Sequence, residues 1–118
     1  MLVFILWYYN YRDRYKKIIE KQYKNLTYQI KDETYNGDVC TVTTEIEVLD
    51  YKKIINEVNN NYQNKNYTKE YNNEKLDKLE KTKDKVKYTI DFKVKKENNN
   101  WTLEALDDDT IKKIQGTY

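Results

Sequence analysis

The residue types that most enzymes rely on are scarce in this chain, and the shortage sorts the available chemistry at once. There is no histidine and no serine, one cysteine (Cys40), and only two glycines, Gly37 and Gly116, far apart. A nucleophilic triad needs a hydroxyl or thiol beside an imidazole, so triads fail. Zinc needs His or several Cys, and a phosphate-cradling loop needs clustered Gly. Acid–base work by carboxylates and phenols survives, because the chain carries 20 acidic residues and 13 tyrosines. Tyr28, Tyr88 and Asp91 are the set to weigh. Tyr88 and Asp91 differ by an odd number of positions, so on one strand they point to opposite faces, which argues against a shared site.

Other clusters have plainer accounts. Asp107, Asp108 and Asp109 could gather calcium, but the alternating Asp pattern with Gly and a distal Glu is missing, and a helix cap explains them better. Lys85, Lys87, Lys93 and Lys95 could touch phosphates. They also make an ordinary solvated strand face, interrupted by Asp91, with no aromatic residues among them to stack on bases. Asn25, Asn66 and Asn100 each open an Asn-x-Thr triplet; Asn66 is the accessible one if Trp101 is buried and Asn25 ends a helix. No cofactor and no metal are expected.

Net charge is +2, from 22 basic and 20 acidic groups, and mean hydropathy is −1.11. Such balance sets up no field for nucleic acid or an anionic membrane. The apolar start, Leu2 to Tyr9, is far short of the ~20 residues of a membrane span, and reads as the beginning of a core helix. With a single cysteine, no internal disulfide is available and the redox compartment stays open.

The elements that must position these residues follow from periodicity. Tyr11, Tyr15, Ile18, Ile19, Tyr23 and Leu26 recur at helical spacing, predicting a helix over about 8–24. Leu26, Tyr28 and Ile30 alternate as a strand, Asn36-Gly37 signals a two-residue hairpin turn, and Val39 to Leu49 return with Cys40, Val42, Ile46 and Val48 on one face. Asp50 suits an N-cap for a helix carrying Tyr51, Ile54, Ile55 and Val58. The Asn-rich stretch from Asn59 to Asn73 reads as a loop, followed by a helix capped by Asn72 or Asn73 with Leu76 and Leu79 as anchors. Val86, Tyr88, Ile90, Phe92 and Val94 then alternate strictly with polar residues, a strand with one dry face. Asn98, Asn99 and Asn100 turn it into Trp101, Leu103 and Ala105. A last helical turn places Ile111 and Ile114 inward and stops at Gly116.

One chain of 118 residues gives one domain, 1–118. The expected class is α+β: a curved antiparallel sheet of about four strands, in two hairpins, packed against an N-terminal helix and further short helices lying over its dry face.

Two stretches resemble a known group. Leu26-Thr27-Tyr28, Tyr35-Asn36-Gly37-Asp38 and Glu45-Ile46-Glu47-Val48-Leu49-Asp50-Tyr51 form the first. Val86-Lys87-Tyr88-Thr89-Ile90-Asp91-Phe92, Trp101, Leu103 and the closing Ile114-Gln115-Gly116-Thr117-Tyr118 form the second. Together they look like small extracytoplasmic proteins and lipoproteins of Gram-positive bacteria in the cystatin-like, or nuclear-transport-factor-like, superfamily. That resemblance implies a cone of helix and curved sheet and an extracytoplasmic address, with any membrane contact made through a segment absent from this chain. The superfamily holds isomerases, dehydratases, secretion scaffolds and domains of unknown role, and fold does not choose among them. Its ketosteroid isomerases pair an Asp base with Tyr and a protonated Asp in an apolar cavity.

The expected function is a non-catalytic interaction or small-ligand-binding domain, its partner an unknown protein or small molecule rather than nucleic acid. Tyr28, Tyr88 and Trp101 are the candidate ligand-binding residues, with core lining as their plainer role. A cavity enzyme using Tyr and Asp, and a structural domain of an envelope or secretion-type assembly, are the alternatives.

Overall fold

The computed structural model describes residues 2–63 and 68–118, with side chains described from residue 11 onward. Its elements run α1 (Leu2–Asn25), β1 (Thr27–Asn36), β2 (Val39–Leu49), α2 (Tyr51–Tyr62), α3 (Lys69–Lys81), β3 (Lys85–Glu97), β4 (Asn100–Leu103) and α4 (Asp108–Gln115). The class is α+β, and the four strands form one curved, open antiparallel sheet in the order β1-β2-β3-β4.

Local chemistry accounts for most boundaries. The Asp50 carboxylate accepts from the Lys53 N–H and starts α2, as the sequence predicts. Thr68, not Asn72 or Asn73, caps α3, its hydroxyl accepting from Tyr71 N–H. The two helices therefore extend into the stretch expected to be a loop; a run of Asn is a weak helix breaker when the flanking Tyr and Leu side chains find a core. Asp107 caps α4 by accepting from Thr110 N–H at 2.7 Å, and hydrogen bonds from the Thr110 hydroxyl and from that N–H hold its carboxyl below the usual range. Helix α1 begins at Leu2, so the apolar start does open the first helix, ahead of the 8–24 stretch that the periodicity marks. Whether Leu2 to Tyr9 pack in a core lies outside the described side chains, and Asn66 lies outside the described residues.

Both hairpin turns are two residues long. The first is Gly37-Asp38, one step later than the expected Asn36-Gly37, because Asn36 pairs with Val39. Only Gly37 (φ +62) takes positive φ there, which glycine supplies without strain. The second turn is Asn98-Asn99, both at positive φ (51° and 65°), a conformation asparagine tolerates better than most residues.

The helices cover the dry face at its Leu49 end, where Leu26, just after α1, and Ile114 of α4 pack on Ile46, Val48 and Ile90, while Tyr28, Ile30, Tyr35, Trp101 and Leu103 stay exposed. The α2–α3 excursion leaves β2 at Asp50 and rejoins at Asp84, where Asp50 N–H donates to Asp84 C=O at 2.8 Å, so it starts and finishes at the same strand end. The two helices pack on each other and on α1, and Leu49 is the strand residue that joins their buried cluster. The main core is accordingly helical: Ile18, Leu49, Tyr51, Ile54, Val58, Tyr71, Leu76 and Leu79, all buried. A second cluster of Ile46, Val48 and Ile90 belongs to the adjoining part of the sheet, with Leu26 and Ile114 as its cover. The remaining sheet projects away. The radius of gyration is 18.2 Å and the extents are 55 × 30 × 25 Å, against ~13–14 Å for a compact chain of this length.

Candidate functional site

The junction between the two clusters is organised by one polar side chain. Gln22 occupies the apolar stripe of α1 between Ile18 and Leu26 and is only 2% exposed. Its amide nitrogen donates to Leu49 C=O and to Gln115 C=O, both at 2.9 Å, and its carbonyl accepts from Leu49 N–H at 2.8 Å. It thereby satisfies the last backbone groups of β2 and a terminal carbonyl of α4. Gly116 completes the joint at φ +75, and its own carbonyl accepts from Lys52 N–H at the start of α2. A Cβ on Gly116 would sit 2.1 Å from Leu49 O and 2.3 Å from the Gln22 amide nitrogen. Nearby, the Tyr51 hydroxyl donates to Ile18 C=O at 2.9 Å, and burial pushes its pKa up to about 12. Lys21 donates from its ammonium to Glu80 and Thr82 carbonyls, closing the C-terminus of α3. These groups are committed to the fold.

Beside them is a slot of 200 Å³ lined by Tyr15, Ile18, Ile19, Tyr51, Ile55 and Leu79 among others, with no carboxylate in its wall. It is apolar, and its polar neighbours Gln22 and Tyr51 are already bonded to backbone.

The sheet offers a larger feature. Register places Tyr28, Ile46 and Tyr88 in one row across three strands and Ile30, Thr44 and Ile90 in the next. Glu33, Val42 and Phe92 follow, then Tyr35, Cys40, Val94 and Leu103, with Trp101 opposite Lys96 nearest the turns; Glu33, between Ile30 and Tyr35, accepts from the Tyr35 hydroxyl at 3.2 Å. These side chains share the dry face. A groove of 410 Å³ runs along it, bounded by Tyr28, Ile30, Val42, Phe92 and, at the helical end, Leu26 and Ile114. Beyond the groove the face is bare: Tyr28 is 70% exposed, Tyr35 64%, Ile30 51%, Leu103 51% and Trp101 49%.

The three expected ligand-binding residues do lie on one face, but the sheet separates them. Tyr28 and Tyr88 share a row at the helical end, whereas Trp101 pairs with Lys96, eight residues along β3, ~27 Å away at ~3.4 Å per residue. Tyr88 packs edge-on against Tyr118, with ring centroids 5.6 Å apart, and burial raises its phenol pKa. Trp101 is not buried, contrary to expectation. The strand carrying it is four residues long, and its ring meets that of Tyr35 edge-on, with centroids 6.3 Å apart.

Tyr35 and Ile30 belong to this face, and sequence reasoning passed over Tyr35 for a definable reason. Tyr28 and Ile30 are even-numbered, Tyr35 odd. A β-bulge at Lys31, between the Ile30–Thr44 and Asp32–Thr43 pairs, shifts the strand's phase by one residue and turns Tyr35 to the dry side. The three consecutive charged residues Lys31, Asp32 and Glu33 were the available signal, since they break the alternation. Ile111, expected inward, is 38% exposed, and only Ile114 of that turn packs on the sheet.

The sheet does not bring Tyr88 and Asp91 together for acid–base work. Asp91 sits on the wet face, accepting from the Thr43 hydroxyl at 2.7 Å, while Tyr88 faces the other way. On that wet face the lysine row meets acids across the strands: Lys85 lies 3.8 Å from Glu47, and Lys87 3.8 Å from Glu45. It is an ion-paired solvated surface. Among the described residues, no three His, Cys, Asp or Glu side chains gather to hold a metal ion, and no helix is long and apolar enough to cross a membrane. No family model, curated protein or solved structure matches the chain.

Proposed function

We propose that this chain is a non-catalytic interaction domain whose working surface is the uncovered half of the dry sheet face. The observation that carries the reading is the exposure of Tyr28, Ile30, Tyr35, Trp101 and Leu103 together on one face of an ordered sheet. Single exposed apolar residues are ordinary; a contiguous patch of large ones marks a binding surface. Tyr and Trp suit that role because a broad ring can be covered while the polar tip stays wet. The enzyme reading would need an enclosed cavity holding a desolvated carboxylate. The 200 Å³ slot has no carboxylate, and the 410 Å³ groove is open and apolar.

The test compares stability with surface chemistry. Tyr35→Ser combined with Trp101→Ser, unfolded by urea in dilute protein, is expected to cost no more than about 1–2 kcal/mol, roughly the worth of their mutual edge-on contact. A loss of several kcal/mol would mean that these rings are core, and the face would lose its claim as a free surface.

A further inference from the structure

We infer that the outer edge of β3 is a docking site for an extended segment of another protein, one in which acidic and aliphatic residues alternate; it stands apart from the bare face proposed above and does not rest on it. β4 pairs with β3 only from Val94 to Glu97, so the stretch from Lys85 to Phe92 has a strand on one side alone. In an antiparallel ladder the N–H and C=O of one residue point to the same side, and successive residues alternate. Lys96 N–H donates to Asp38 C=O beside β2, and Glu104 N–H donates to Lys93 C=O on the opposite side. The β2–β3 register runs without a shift, so Val86, Tyr88, Ile90 and Phe92 bond to β2. Lys85, Lys87, Thr89 and Asp91 therefore turn their backbone groups outward. Among the described residues, none of those outward groups has a hydrogen-bond partner.

That array selects its ligand. Donors and acceptors that recur at every second residue, ~6.8 Å apart, match another extended backbone. The other long edge, β1, breaks its repeat at the Lys31 bulge and carries Lys31, Asp32 and Glu33 there, the usual protection of an edge. A second copy is the wrong shape. Its own β4 stands on the same side of its β3, and with the two open edges antiparallel that strand would run into the Lys83–Asp84 link. The neighbour already in place shows which side chains suit β3: Glu47 of β2 stands opposite Lys87, Ile46 opposite Tyr88 and Val48 opposite Val86. Acids on the wet face and aliphatics on the dry one are the complement of this strand, and Lys85 and Lys87 disfavour a basic segment.

The probe is a capped peptide copying Thr41 to Leu49, titrated to ~1 mM into the whole isotope-labelled chain and followed by amide shifts. Saturable shifts centred on Lys85, Lys87, Thr89 and Asp91 are expected. In the register of β2, the peptide's copies of Glu45 and Glu47 aim their N–H groups at β3, whereas its copies of Ile46 and Val48 aim theirs at water. N-methylation of the first pair should weaken binding at least tenfold, and of the second pair should leave it unchanged. Thr89→Pro removes an outward N–H and no bond of the β2 ladder, so it should abolish binding with the far-ultraviolet dichroism intact. If that variant unfolds, the methylation pattern decides. Absence of saturable binding overturns the inference, as does binding blind to which nitrogens carry methyl groups. Shifts centred on β1, or binding lost with Tyr35→Ser and Trp101→Ser, would overturn it too, and the second of these would place the peptide on the bare face instead.

Discussion

At the Leu49 end of the sheet a side chain as polar as Gln22 is 2% exposed with its amide hydrogens and carbonyl all engaged, while at the turn end one as apolar as Trp101 is 49% exposed. Both ends are built from the same antiparallel strands. The difference is whether a chain excursion returns to that end. The α2–α3 segment leaves and rejoins beside Leu49 and brings Tyr51, Ile54, Val58, Leu76 and Leu79 with it. At the other end the two-residue turns bring nothing. Polarity of a side chain therefore does not set its burial here; the route of the chain does.

That contrast can be broken most sharply at the joint. Gln22→Leu should cost about 3 kcal/mol or more, since it strands three backbone groups of Leu49 and Gln115 in a buried site. Gly116→Ala should cost a similar amount, because its Cβ would overlap Leu49 O and the backbone there has φ +75. Urea unfolding measures both, and a change under 1 kcal/mol in either would mean the joint relaxes around the substitution. A matched pair of truncations sharpens the comparison: Leu76→Ala, fully buried, should lose about 3 kcal/mol, and Leu103→Ala, 51% exposed, well under 1 in dilute protein. Equal losses would contradict the division of the molecule into a packed end and a bare one.

The joint should also show in alkali. The buried Tyr51 phenol is held neutral to about 12 against an ordinary 10.0, so its contribution is complete below pH 10 and is lost as pH rises from 10 towards 12. Unfolding midpoints across that window should fall less steeply for Tyr51→Phe than for the parent chain, and parallel curves would remove the burial explanation. The smallest effect belongs to the surface. Arg14 meets Asp77 at 2.6 Å and Glu80 at 2.9 Å, but those partners are 58% and 40% exposed. Arg14→Ala should cost about 0.5–1 kcal/mol, and less in high salt.

Much of this was legible without coordinates. The strict alternation from Val86 to Val94 fixed which side chains of β3 face water, because a pleated strand turns successive residues to opposite sides. The Asp50 and Asp107 caps and the Gly116 stop were readable because each satisfies orphan backbone groups through its own local geometry. Local rules of that kind need only neighbours in sequence. Tertiary structure alone decided the rest. The bulge at Lys31 depends on what β2 offers opposite it, the role of Gln22 on two strand and helix ends that lie 27 and 93 residues away along the chain, and the 49% exposure of Trp101 on its place in a four-residue edge strand. Each of those is a relation between distant segments, and hydrophobic patterning specifies that a face is apolar without specifying what, if anything, will cover it.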